Sequence, residues 1–189
     1  MSRTAGEFLI AGSFIFGVGA SLGVPRVFMT ADPHARLSLL ERHSTRWRIA
    51  QPVYALGPLF AAAGVGLVAA DEGDTVAQVF CLTASATLVI GAGTWSYSCY
   101  LRGTRPEDFA VGNLPGWPFA TYVVLTIAGL ALFGGGLQAG DYSSWLGWSV
   151  VAADLAFLAL YAATRDIPPF IFYLLLTFVG LILVVQSGP

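Results

Sequence analysis

The chain has 189 residues, 56% hydrophobic and 11% charged, with nine basic residues against eleven acidic ones and a net charge of −2. A soluble domain carries about 25% charged residues, so this charge content cannot cover a soluble globule, and the mean hydropathy of +0.72 points to an integral membrane protein. All nine basic residues are Arg, which excludes a lysine Schiff base, a retinal-type linkage and a P-loop lysine. The charge balance offers no basic surface, so no nucleic-acid partner is expected. Cys81 and Cys99 stand 18 residues apart in one apolar segment. At about 27 Å along a helix they cannot bridge each other, and no Cys-based metal site forms.

A membrane-crossing helix needs about 20 mostly apolar residues. Six segments meet or approach that length: 8–28, 49–70, 76–101, 117–138, 142–164 and 167–186. The expected fold class is therefore all-α, one polytopic domain over 1–189 with six transmembrane helices in a bundle. The alternation of period two that marks a β-barrel is absent. The first segment shares Arg3, an apolar stretch and Val18-Gly19-Ala20 with signal peptides, but Glu7 stands where such peptides are basic, so it reads as a span. Glu7, near Arg3, reads as interfacial.

The connection 29–48 is the longest polar stretch. Asp32-Pro33 reads as an N-cap followed by Pro at the first helical position. A short helix should follow, with Leu37 and Leu40 on one face and Arg36, Glu41 and Arg42 towards water, lying on the inner leaflet. Arg46-Trp47-Arg48 reads as the interface where the second span enters. Asp71-Glu72-Gly73-Asp74, 102–116, Gly140-Asp141 and Arg165-Asp166 separate the later spans. In a six-helix alternation, Arg26, Arg36, Arg42, Arg46, Arg48, Arg102, Arg105 and Arg165 fall on one side and Arg3 alone on the other. The excess of Arg in cytoplasmic loops then puts those connections inside an inner (cell) membrane and both termini outside. Five or seven spans break this partition.

The stretch 118–132 aligns without gaps with 169–183, and eight of fifteen positions match, among them Pro118/Pro169, Tyr122/Tyr173, Thr126/Thr177 and Gly129/Gly180. Pro52 and Gly64 give a fainter echo in the second span. The pattern suggests a repeated helical hairpin, an arrangement found in transporters and in inert bundles alike. Ser13/Gly17, Gly19/Gly23 and Ala62/Gly66 read as surfaces for close helix packing.

Asp154 is the acidic residue deep inside a span, with apolar residues for two turns on either side. An ionised carboxylate at the bilayer centre costs at least ~2.5 kcal/mol. It must be protonated, partnered or facing water. Depth counted from the span ends places Thr126, Thr177 and Thr87 near it, and Tyr161 follows seven residues on along the same face. Such a cluster would bind a proton, a cation or a polar ligand. The structural alternative is a protonated Asp hydrogen-bonded between helices, with each Thr bonding its own i−4 carbonyl.

His34 and His43 both lie in the first connection, so no span offers a haem ligand, and their spacing fits no standard zinc site. The hydroxyl- and aromatic-rich run 94–100 reads as an aromatic belt, with a ligand-lining face as the alternative. There is no Gly-x-Ser-x-Gly, no His-Glu-x-x-His and no Cys-x-x-Cys. No catalytic constellation, metal site or cofactor is expected.

Pro25-Arg26-Val27-Phe28, Thr45-Arg46-Trp47-Arg48, Leu114-Pro115-Gly116-Trp117, Trp145-Leu146-Gly147-Trp148 and Asp166-Ile167-Pro168-Pro169-Phe170 resemble an actinobacterial-type family of bacterial six-span membrane proteins catalogued as a domain of unknown function. The resemblance covers nearly the whole chain and implies the six-span fold, with no catalytic or binding residues to carry over. The leading expectation is an accessory or structural subunit, partnered by lipid, other membrane proteins or its own copies. The other is a small transporter or binder of a lipophilic or weakly polar ligand that uses the midplane acid.

Overall fold

The computed structural model describes residues 3–187, and no strand occurs among the described residues. In chain order the helices are α1 (Arg3–Leu22), α2 (Arg26–Met29), α3 (Pro33–Arg42), α4 (Ser44–Asp71), α5 (Thr75–Thr104), α6 (Pro106–Val111), α7 (Trp117–Ala139), α8 (Ser144–Thr164) and α9 (Phe170–Gln186). Helices α1, α4, α5, α7 and α8 are long and apolar enough to cross a membrane. The sixth apolar helix, α9, has 17 residues. That is about 26 Å of helix against a hydrocarbon core of about 30 Å.

Packing follows the order α9, α1, α4, α5, α7, α8, each helix lying against the next. Between α8 and α9 contact is slight, so the hairpin of α5 and α7 has no equally packed counterpart in α8 and α9. The short helices α3 and α6 pack together, which brings the Arg-bearing connections 29–48 and 102–116 to the same end of the bundle.

Local chemistry sets several boundaries. The Asp32 carboxylate accepts from Ala35 N at 2.8 Å and opens α3, with Pro33 in its first turn. Asp74 caps α5 by accepting from Val76 N and Ala77 N at 2.8 and 2.9 Å. The first apolar segment does not run to residue 28. Its helix stops at Leu22, because Pro25 disfavours helical backbone in the residue before it and Val24 adopts φ 55°. The second starts at Ser44, five residues earlier than hydropathy suggests, and takes Arg46-Trp47-Arg48 into the helix.

The apolar side of α3 is covered by protein instead of lying bare on a leaflet. Leu40 packs in a cluster with Val24, Val27, Trp47 and Ala110, and Leu37 joins its edge. Arg36 points back into the same layer, donating to Thr30 O and Ala110 O. Trp47 is not an interfacial anchor but fully buried, its Nε1 donating to Arg102 O at 2.8 Å.

Lipid is as apolar as a helix surface, so burial of apolar area gives helices little reason to associate, and close contact decides. Along α1 that contact runs through glycine. A Cβ at Gly19 would lie 2.6 Å from Tyr54 N and Cα, and one at Gly12 would lie 2.7 Å from Ala61 N. Gly19→Ala and Gly12→Ala should therefore force α1 off α4 and lower the thermal stability of the purified protein by about 1–3 kcal/mol. Gly17→Ala, where nothing lies within 4 Å, should leave it unchanged. Equal behaviour of all three would refute the packing.

Candidate functional site

The centre of the bundle is aromatic. Phe16 of α1 stacks on Tyr173 of α9 at 3.8 Å and lies 4.3 Å from Tyr54 of α4. Trp95 of α5 meets Tyr54 at 4.9 Å and Tyr122 of α7 at 4.7 Å, and its Nε1 donates to Tyr54 O at 3.1 Å. The hydroxyls of Tyr122 and Tyr173, which hold matching places in the two aligned stretches, are hydrogen-bonded at 3.0 Å. The Arg102 guanidinium closes the cluster from the Arg-rich end, 4.9 Å from the Trp95 ring and within 6 Å of Phe28 and Phe109. The run 94–100 thus divides: Tyr97 and Tyr100 are exposed, as a belt requires, whereas Trp95 is core.

This centre is closed. The gap among Pro58, Leu88, Tyr122, Thr126 and Tyr173 measures about 10 Å³. A water needs ~10–15 Å³ and several polar partners, so no ligand chamber opens there.

The residues expected around Asp154 are not gathered by hydrogen bonds. Thr87 donates to Thr83 O at 2.8 Å and Thr177 to Tyr173 O at 2.7 Å, each its own i−4 carbonyl. Thr126 is buried and lines the small central gap with Tyr122. Tyr161 packs on the edge of the apolar core. Asp154 itself is 4% exposed on α8, with its Oδ1 buried and no hydrogen bond or ion pair to any described residue.

A cavity of about 620 Å³ opens elsewhere, between α4 and α5 at the Arg-rich end. Its walls include Arg48, Gln51, Ser96, Cys99, Tyr100 and Thr104, with apolar surface from Pro52 and Ala55. Gln51 is 4% exposed, and its Oε1 is buried without a hydrogen-bond partner. Its Nε2 reaches Trp47 O only at 3.4 Å. Arg48 makes no hydrogen bond or ion pair with a described residue, whereas Arg46 spends its guanidinium on Leu22 O and Ser21 O and Arg3 pairs with Glu7. An unengaged cation, an unpaired amide and an apolar flank form the chemistry of an amphiphile site. The sequence reading noted the 94–100 face but passed over Gln51, whose signal was a lone amide in an apolar run three residues after Arg48.

No family model matches the chain, and neither does a curated protein or a solved structure. No group of three or more metal-ligating side chains occurs among the described residues.

Two stability measurements check this geometry. Tyr122→Phe and Tyr173→Phe should each cost about 1 kcal/mol, and the double variant less than their sum, because either change removes the same hydrogen bond. Additive losses would show that the hydroxyls act separately. Asp154→Val, close in volume, should hold or raise stability by up to about 1 kcal/mol, since no partner is lost and a buried polar atom is removed. A fall of that size would reveal a partner for the carboxyl.

Proposed function

We propose that the chain is a six-span protein of a bacterial inner membrane that holds an amphiphile at the cytoplasmic leaflet and does no bond chemistry on it. The Arg-rich end faces the cytoplasm in this reading, and both termini lie outside. The distribution of Arg supports the orientation. The observation that carries the function is the α4/α5 cavity, which joins the unengaged Arg48 and the unpaired Gln51 to an apolar flank. The closed aromatic centre, and the lack of hydrogen bonds between Asp154 and its expected partners, turn the reading away from a midplane transport site. The repeat is retained only as a likeness of the α7 and α9 sequences, carried by the eight matching positions of fifteen.

A second reading, an accessory subunit of a membrane complex, is favoured by α8. It is joined to the bundle chiefly along α7, and Leu155 and Leu158, three residues apart, are exposed on one face. Native mass spectrometry from nanodiscs separates the two. The amphiphile reading expects a single polypeptide carrying a lipid-sized adduct that Arg48→Ala and Gln51→Met weaken. A reproducible second polypeptide, with no adduct on the chain, would overturn it in favour of the accessory role.

A further inference from the structure

Two indole bonds frame the α4/α5 cavity. At one end Trp47 Nε1 of α4 donates to Arg102 O of α5, and at the other Trp95 Nε1 of α5 donates to Tyr54 O of α4, at 2.8 and 3.1 Å. Each bond serves a carbonyl whose partner four residues on is a proline with no N–H to give, Pro106 for Arg102 and Pro58 for Tyr54. Between the two bonds, over about 10 Å of each helix, Pro52 likewise has no N–H for Arg48 O. No side chain of another helix donates to that carbonyl among the described residues. The helices are therefore tied on both sides of the cavity and untied across it, and the opening belongs to the fold.

Neutral donors and acceptors both line the wall, the Tyr100 hydroxyl and Cys99 thiol beside the unpaired Gln51 Oε1, so hydrogen-bond count does not choose a ligand. Charge does. Among the described residues of the wall Arg48 alone is charged, and it is exposed and makes no ion pair. Arg46 is held by Leu22 O and Ser21 O, and Arg102 by three aromatic rings. Glu41 and Glu107 line the adjoining groove, which Arg48 also borders, and neither reaches ion-pair distance of it.

We infer that this cavity takes an acidic phospholipid, one whose phosphate is not offset by a cation of its own, with the phosphodiester on Arg48. The inference rests on the amphiphile reading of the same cavity. An anion there neutralises Arg48 and leaves no charge over. An ethanolamine or choline headgroup brings a second cation, a few bonds from the phosphate and so close to the guanidinium, to a wall with no carboxylate among its described residues. The surface that continues the wall fits a lipid better than a small anion. Pro52, Ala55, Leu56 and Leu59 follow one another along one face of α4, the last two exposed, and offer the acyl chains an apolar track.

The test is native mass spectrometry of the full chain from nanodiscs holding equimolar phosphatidylglycerol, phosphatidylethanolamine and phosphatidylcholine of identical acyl chains. Phosphatidylglycerol should be retained about tenfold over each of the other two, the penalty of a like charge held close to Arg48 near a protein surface. Arg48→Gln, at an exposed position that makes no side-chain bond within the fold, should bring the three lipids to nearly equal retention, whereas Arg48→Lys should keep their order. Three results overturn the acidic assignment while leaving an amphiphile site: equal retention by the unaltered chain, preference for either zwitterionic lipid, or an acidic preference that Arg48→Gln leaves intact. Retention of no lipid overturns both readings. Glycerophosphoglycerol, the same headgroup without acyl chains, serves as competitor. Failure to displace the bound lipid supports recognition of the intact lipid, and displacement overturns the choice of a lipid over a small anion.

Discussion

The ring of Phe16 lies between those of Tyr173 and Tyr54, at 3.8 and 4.3 Å, and this sandwich is the contact on which the arrangement of the other helices depends. It joins α1, α4 and α9 at one point. Trp95 and Tyr122 extend the cluster to α5 and α7, and Phe157 reaches it from α8 through Phe172 at 5.2 Å. Each aromatic pair contributes about 0.5–1.5 kcal/mol beyond its buried area. In a lipid surrounding that directional part matters most, since apolar area alone does not favour helix over acyl chain. Gly12 and Gly19 are the condition for it, because α1 must lie backbone-close to α4 before Phe16 can enter.

Three arginines of the Arg-rich end are engaged by the fold. Arg102 rests on aromatic faces, Arg46 satisfies the last carbonyls of α1, and Arg36 ties α3 to the carbonyls of Thr30 and Ala110. The guanidiniums of Arg46 and Arg36 complete helix ends that would otherwise leave carbonyl oxygens without donors. Trp47 Nε1 does the same for Arg102 O. Arg48, one residue beyond Trp47, lines the α4/α5 cavity. Adjacent residues of α4 thus face different ways, with Trp47 buried in the cap and Arg48 on the cavity wall.

Much of this was legible in the sequence. The six apolar segments lie in five helices long enough to cross a membrane and in the shorter α9, and Asp32 and Pro33 opened the short α3 where their chemistry places a helix start. Thr87 and Thr177 behaved as threonines in apolar helices do, bonding their own preceding turn. The failures share one cause. Trp47 and Trp95 look like interfacial anchors because they are amphipathic residues near span ends, yet the indole N–H of each finds a carbonyl on another helix and the ring is buried. The depth of Asp154 was readable; its neighbours were not, because depth fixes height along the bundle and says nothing of direction around it.

The sequence by itself determined that the chain is helical and membrane-embedded in character, where its helices start and stop to within a few residues, and at which end its arginines gather. Those properties follow from hydropathy, proline and capping residues, which act along the chain. Tertiary structure alone decided that α9 packs on α1, that Tyr122 meets Tyr173, that the centre is filled, and that the open space lies between α4 and α5. Lipid and protein interior are both apolar, so the hydrophobic pattern of a spanning helix does not mark which side faces which. Only the fit of glycines, aromatic rings and the few buried polar atoms settles the rotation of each helix and the order of its neighbours.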